Sequence, residues 1–209
     1  MKLHSHWRST ASYRVRIAMN IKGMSFETIP VNLVKGEQAS PSYAALNPAK
    51  AVPTLVTDEG LVLTQSLAIL DYLEAIAPDP SLLPNDAALR ARVLAAAFVL
   101  ASDVHPVNNL KVTKRLKAMG HSQDECTEWM RHWMAEGLAA FQAQIEQDTP
   151  FCFGDTPTYA DICLIPQLYN AHRWGLDLAP FTRLTDIEAR CLALAPFDAA
   201  RPENQPDAG

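Results

Sequence analysis

The chain has 209 residues, 48% of them hydrophobic, and carries 23 acidic against 18 basic side chains for a net charge of -5. That length holds one large domain or two modest ones, with a core that needs no disulfide staples. Acidic and basic residues are mixed along the chain with no basic arm or stripe, which argues against nucleic acid and anionic membrane as partners.

The first 80 residues alternate between strand and helix signals. Leu3 to His6 reads as a short strand, and Ser12 to Lys22 as a helix with Val15, Ile17, Ala18 and Ile21 apolar, closed at Gly23. Phe26 to Val31 alternates like a half-buried strand. Gln38 to Leu46 is a weaker helix stopped by Asn47-Pro48. Val52 to Val56 and Leu61 to Leu63 are two short strands around the turn Asp58-Glu59-Gly60. Ser66 then opens a helix through Ile76, with apolar residues at spacings of three and four. These elements predict one compact α/β layer structure over residues 1–80.

Pro78-Asp79-Pro80 through Pro84-Asn85-Asp86 reads as a proline-rich linker. From residue 87 to 209 an all-helical second domain is expected. Ala87 to about Lys117 is one long helical pattern with a kink at Pro106. Ser122 to Gln147 is the next, with Trp129, Trp133, Leu138, Phe141 and Ile145 near one face. Thr158-Tyr159-Ala160-Asp161 matches a capping box with Asp in place of Glu, so a helix begins there and reaches about Trp174. A last helix covers Leu184 to Leu194, and the tail from Pro202 to Pro206 is irregular.

Cys126, Cys152, Cys163 and Cys191 are widely spaced and make no C-x-x-C pair, and the six histidines have no metal-ligand spacing. No metal is assigned. A reduced, cytoplasmic protein fits this usage, the lack of an apolar core after Met1, and the lack of any apolar run of membrane length.

Three local signals bear on chemistry. Ser9, Thr10 and Ser12 place hydroxyls where the first strand meets the first helix, a spot where free N–H groups favour an anion; the same residues also read as an ordinary N-cap. Val52-Pro53 precedes a strand and, if cis, turns the residue 52 backbone outward; about 5% of X-Pro bonds are cis in general. Gln65-Ser66 offers an amide, a hydroxyl and helix N–H groups to a carboxylate, and again also reads as a plain cap.

Taken in order, strand, hydroxyl-rich turn, helix, strand, helix, Val-Pro, hairpin, Gln-Ser, helix and then an all-helical domain, the chain resembles the cytosolic glutathione transferase superfamily. The segment from Ser9 to Ala18 is similar to the zeta class signature Ser-Ser-Cys-x-Trp-Arg-Val-Arg-Ile-Ala. Further matching stretches are Ala45-Leu46-Asn47-Pro48, Val52-Pro53-Thr54-Leu55, Gln65-Ser66-Leu67-Ala68-Ile69, Gly154-Asp155-x-x-Thr158-x-Ala160-Asp161, Leu176-Asp177-Leu178 and Gln205-Pro206-Asp207. The resemblance therefore spans essentially the whole chain. Two positions depart from the signature: Ala11 stands where the class has Cys, and Tyr13 where it has Trp, so a side-chain thiol at position 11 is not required here.

The resemblance implies a thioredoxin-like first domain, a helical second domain and a homodimer. It implies a glutathione site built from Ser9, Thr10, Gln38, Val52, Gln65, Ser66, His105 and Asn109. It also implies glutathione-dependent cis-trans isomerisation of a maleyl-type dicarboxylate, as in the maleylacetoacetate and maleylpyruvate isomerases of that class. Ser9 is expected to donate a hydrogen bond to the cofactor sulfur, with Thr10 and Arg8 as the other catalytic residues. Arg8, Arg173 and, more weakly, Lys111 are expected to bind the substrate carboxylates, because guanidinium grips carboxylate with two prongs. The alternative activities are a transferase or dehalogenase acting on α-halo acids and, at a greater distance, a non-catalytic glutathione-binding scaffold.

Overall fold

Four strands organise the N-terminal part of the chain: β1 (Lys2–Ser5), β2 (Glu27–Pro30), β3 (Thr54–Val56) and β4 (Val62–Thr64), in the sheet order β2-β1-β3-β4. β1 and β2 are parallel, from Lys2 opposite Glu27 to Ser5 opposite Pro30. A parallel pair needs a crossover, and helix α1 (Thr10–Ile21) supplies it. β3 runs antiparallel to β1 and β4 antiparallel to β3. Gly60, at φ +84°, turns the hairpin between them, a conformation open to glycine without Cβ cost. The computed structural model describes residues 1–208, and these form two units: Met1–Ser81 together with the stretch from Ala193 onward, and Leu82–Leu192.

In the first unit α1 is buried along almost its whole length, Arg14 and Arg16 included. Gly23, at φ +62°, closes it, as expected from the sequence. The region expected as one helix from Gln38 to Leu46 is instead a 3-10 turn, Glu37–Ala39, followed by α2 (Pro41–Leu46). Pro41 causes the break, since the residue before a proline is driven to extended backbone, and Ser40 sits at ψ 147°. Helix α3 (Ser66–Ile76) completes the layer, packing Ile69, Leu70 and Leu73 inward.

The chain end differs from the expectation that residues 87–209 form a single domain. From Ala193 onward it packs with the first unit through α10 (Ala195–Ala199), an element the sequence pattern missed. Buried Arg16 donates from Nε to the Ala200 carbonyl at 3.1 Å, and Asn20 Nδ2 donates to the Pro196 carbonyl at 3.0 Å. A buried guanidinium needs acceptors, and this segment supplies one.

The second unit is helical. The long pattern expected from Ala87 to Lys117 divides into α4 (Ala87–Phe98), a π-helical stretch Val99–Val104, the short α5 (His105–Val107) and α6 (Leu110–Ala118). The break lies past Pro106, at Asn108 and Asn109, where Asn109 turns extended and caps α6 by accepting from Lys111 N–H at 3.1 Å. Helix α7 (Gln123–Gln142) stops short of the expected Gln147. Its buried stripe is Cys126, Met130, Met134, Gly137, Leu138 and Phe141, while Trp129 and Trp133 are only half-buried beside it. A Cβ on Gly137 would overlap Val104 Cγ2, so the helices approach through glycine. Helix α8 (Tyr159–Arg173) and helix α9 (Thr182–Leu192) complete the unit.

Candidate active site

Sheet register alone gathers most of the first unit's candidate residues at one end. β1 ends at Ser5, β2 ends opposite it at Pro30, Thr54 of β3 lies opposite His4, and Thr64 of β4 lies opposite Thr54. The turn carrying Arg8 and Ser9, the residue Val52 just ahead of β3, the pair Gln65-Ser66 just after β4 and the 3-10 turn with Gln38 all leave the sheet there.

Ser9 is the N-cap of α1, its Oγ accepting from Ser12 N–H at 3.2 Å. The capping reading of this serine is therefore correct, but it uses only a lone pair. The hydroxyl hydrogen stays available to an acceptor. The N–H groups of Thr10 and Ala11 make no hydrogen bond among the described residues, so this helix end keeps the unsatisfied donors and partial positive charge that hold anions. Arg8 lies beside Ser9 with its guanidinium 4.4 Å from the centre of the Trp7 ring. Its Nε is buried with no protein acceptor among the described residues.

At the start of α3 the arrangement is more open still. Gln65 holds φ 69° and ψ 117°, outside the range that non-glycine residues favour, and no side chain caps the helix. Ser66 is buried, and its Oγ accepts from Arg14 Nη1 at 3.3 Å, which leaves its O–H to donate elsewhere. Arg14, fully buried behind that serine, is the residue that sequence reasoning missed; its place in the matched motif was visible, but its direction was not.

The Val52-Pro53 bond is cis, and the Val52 backbone N–H and C=O make no hydrogen bond among the described residues. Tyr43 Oη and Asn47 Nδ2 hold the segment below it, both binding the Ala51 carbonyl at 2.7 Å and Thr54 Oγ1 at 2.9 and 3.0 Å. Gln38 is half-buried with its Oε1 unpartnered among the described residues.

These features fit a γ-linked tripeptide of glutathione type: an uncapped helix end and hydroxyl for a carboxylate, a free backbone N–H and C=O for a peptide, and a serine hydroxyl at a second helix end for a sulfur.

Four expected residues belong to the helical unit. His105, half-buried, opens α5; Asn109 is the N-cap of α6 and Lys111 its exposed second residue. Arg173 ends α8, exposed, with its guanidinium 5.0 Å from the centre of the Trp174 ring.

Two of the chain's own cysteines are poor nucleophiles. All four are buried. Burial pushes the Cys152 thiol well above its ordinary pKa, with the Asp161 carboxylate adding to it, and burial raises Cys191 in the same way. A buried thiol of this kind is almost wholly protonated at neutral pH. No cluster of three metal-ligand side chains forms among the described residues, and no helix among them is long and apolar enough to cross a membrane.

A mixed four-stranded sheet with anion-accepting helix ends, followed by a helical unit, defines the glutathione transferase architecture, and the chain belongs to that superfamily. Residues 1–75 match the family described as "Glutathione S-transferase, N-terminal domain", and residues 134–199 match "Glutathione S-transferase, C-terminal domain". Within the superfamily it is a zeta-class protein. A solved bacterial maleylpyruvate isomerase, described as a zeta-class glutathione S-transferase in its holo form, is 39% identical and superimposes with a TM-score of 0.97 over 100% of both chains. The maleylacetoacetate isomerase of Pseudomonas aeruginosa is 44% identical, covering 99% of this chain and 98% of its own. A maleylacetoacetate isomerase from Anaeromyxobacter dehalogenans 2CP-1, 42% identical with a TM-score of 0.88 over 100% of this chain and 97% of the other, was solved with dicarboxyethyl glutathione and citrate in its active site.

Proposed function

We propose that the protein is a glutathione-dependent isomerase converting a maleyl-type cis dicarboxylate to its fumaryl isomer, with Ser9 facing the cofactor sulfur. The observation that carries the reading is the Ser9 hydroxyl at an α1 end whose Thr10 and Ala11 N–H groups make no hydrogen bond among the described residues. Relatives that match the chain end to end act on maleylacetoacetate and maleylpyruvate, and one of them holds a glutathione bearing a dicarboxyethyl group.

Bound glutathione supplies a thiolate whose reversible addition across the double bond makes that bond single and free to rotate. A free thiol, with a pKa near ~8.5, is only a few per cent ionised at neutral pH. Ser9 and the α1 end hold the sulfur as the anion. Lowering that pKa by about two units requires ~2.7 kcal/mol of differential stabilisation, a reasonable demand on one hydroxyl and a helix end. Ser66, with Arg14 behind it, and Gln65 bind a carboxylate of the tripeptide at the α3 end. Val52 pairs its backbone with the tripeptide's peptide groups, and Thr10, Gln38, His105 and Asn109 complete the cofactor contacts. Arg8 and Arg173 grip the substrate carboxylates, with Lys111 contributing a weaker charge. The thiol returns unconsumed, which separates this activity from conjugation.

The protein acts as a homodimer in the cytoplasm. Leu61, Val62, Ile76 and Phe98 stand exposed and are available to such a partner.

The test is an absorbance assay with maleylacetoacetate and maleylpyruvate, with and without glutathione, and a thiol titration during turnover. Glutathione-dependent turnover at constant thiol is the expected result. Stoichiometric loss of thiol, or turnover without glutathione, refutes the proposal.

A further inference from the structure

The motif Gln205-Pro206-Asp207 has no part in the chemistry above, yet its carboxylate reaches the turn that carries Arg8 and Ser9. Asp207 Oδ2 accepts from the Trp7 backbone N–H at 3.0 Å, across 200 residues of sequence, and lies 3.8 Å from His6 Nδ1. The Trp7 carbonyl, on the other side of the same residue, accepts from Arg16 Nη2 at 3.0 Å. Ser9 N–H closes the turn onto the His6 carbonyl at 2.9 Å. The residue before Arg8 is therefore held by its donor and by its acceptor, each from a different element of the same unit.

The holder is itself fixed. Arg16, 1% exposed, spends Nε on the Ala200 carbonyl and Nη1 on Ser5 Oγ. Gln205 Nε2 donates to the Ala199 and Arg201 carbonyls at 3.1 and 2.8 Å, Asn204 Nδ2 donates to the Asp198 carbonyl, and Ala208 N–H returns to the Gln205 carbonyl. These bonds shape a tail of mostly polar, turn-forming residues into a rigid arm that ends at Trp7. Nothing in the arm's own packing explains a half-buried carboxylate aimed at a backbone N–H beside the active-site turn.

We infer that Asp207 is a positioning residue: the C-terminal arm sets the Trp7–Ser9 turn so that the Arg8 guanidinium and the Ser9 hydroxyl take their working places. The inference rests on the reading that Ser9 faces the glutathione sulfur. Its physical basis is geometric, since a displacement of about 1 Å at a catalytic group costs on the order of a hundredfold in rate. One lost backbone hydrogen bond two residues from Ser9 permits a smaller shift, and about a tenfold loss is expected.

The experiment compares Asp207→Ala and Asp207→Asn with the wild-type full-length protein. The readouts are kcat and KM for the maleyl substrate, and the ultraviolet absorbance of bound thiolate against pH. Asn keeps an acceptor for Trp7 N–H, so Asp207→Asn retains wild-type behaviour within about twofold. Asp207→Ala lowers kcat/KM about tenfold and moves the bound-thiol pKa upward, while circular dichroism shows the fold retained. An unchanged thiolate titration and kcat/KM in Asp207→Ala overturn the inference, leaving the arm a purely structural element. Equal damage in Asn and Ala also overturns it, since the carboxylate charge rather than the hydrogen bond would then matter. A wild-type protein that shows no bound thiolate at all overturns the Ser9 reading itself and this inference with it.

Discussion

Two helix starts, one at α8 and one at α3, carry similar sequence signals and have opposite fates. At α8 the Thr158 hydroxyl accepts from Ala160 N–H, and the Asp161 carboxylate accepts from the N–H groups of Thr158 and Cys152 and from the Thr158 hydroxyl. Thr158 and Asp161 are buried, and these bonds satisfy them from within the chain. At α3 there is no side-chain cap, Gln65 is in left-handed backbone, and Ser66 keeps its O–H for something outside the chain. A helix end that is satisfied internally serves the fold. One left open at an energetic cost is the kind of end that a ligand can complete.

That contrast predicts a graded set of outcomes. Asp161→Ala strands two buried N–H groups and is expected to cost ~3–5 kcal/mol in urea unfolding, with glutathione affinity of the folded protein unchanged. A loss of affinity without a loss of stability would reverse the roles assigned to the two ends. Next in size, Arg8→Ala should raise KM for the maleyl dianion about a hundredfold, the worth of a charge-assisted contact, with little change in the Kd of glutathione by calorimetry. Exposed Arg173→Ala should raise it about tenfold. Equal effects on substrate and glutathione remove these arginines from the substrate site.

Ser9→Ala tests the intermediate case, a cap that also serves chemistry. It should lower kcat/KM about thirtyfold and raise the pKa of the bound thiol, beyond a stability loss of ~1 kcal/mol for the cap. A change in stability alone would return Ser9 to the plain capping role. Ser66→Ala should weaken glutathione about tenfold and, because it removes the acceptor of buried Arg14 Nη1, also cost ~1–3 kcal/mol in unfolding.

The smallest effect is one of pH. Burial raises the Asp161 carboxyl above its ordinary value, against the pull of its hydrogen bonds from Thr158 and Cys152. A raised folded-state pKa favours the protonated form. Its contribution is complete below the unfolded value of about 3.8 and is lost as pH rises through the folded value. The unfolding free energy of the wild type minus that of Asp161→Asn should therefore fall from acid toward neutral pH. A difference that rises instead would mean that the hydrogen bonds win over burial at this cap.

Much of the site was legible as position and little of it as geometry. Ser9, Val52, Gln65 and Ser66 stand at element junctions that hydrophobic periodicity locates. The helix α1 is read from Val15, Ile17, Ala18 and Ile21, and that local pattern cannot reveal that Arg14 and Arg16 are buried as well, Arg14 donating to Ser66 Oγ and Arg16 to the Ala200 carbonyl. Of the face expected on α7, Leu138 and Phe141 are buried while Trp129 and Trp133 are half-buried, because Met130 and Met134 take the closely packed side where Gly137 meets Val104.

By itself the sequence determined the two-part pattern and most of the element junctions, because periodicity and turn residues are local and physical, while the type of chemistry followed from the resemblance to the zeta class. Only the tertiary structure decided that the last residues leave the helical unit and join the first, that Asp207 reaches Trp7 across 200 residues, and which helix end stays open. Those outcomes depend on which buried donors find acceptors, and that pairing exists only once distant segments have packed together.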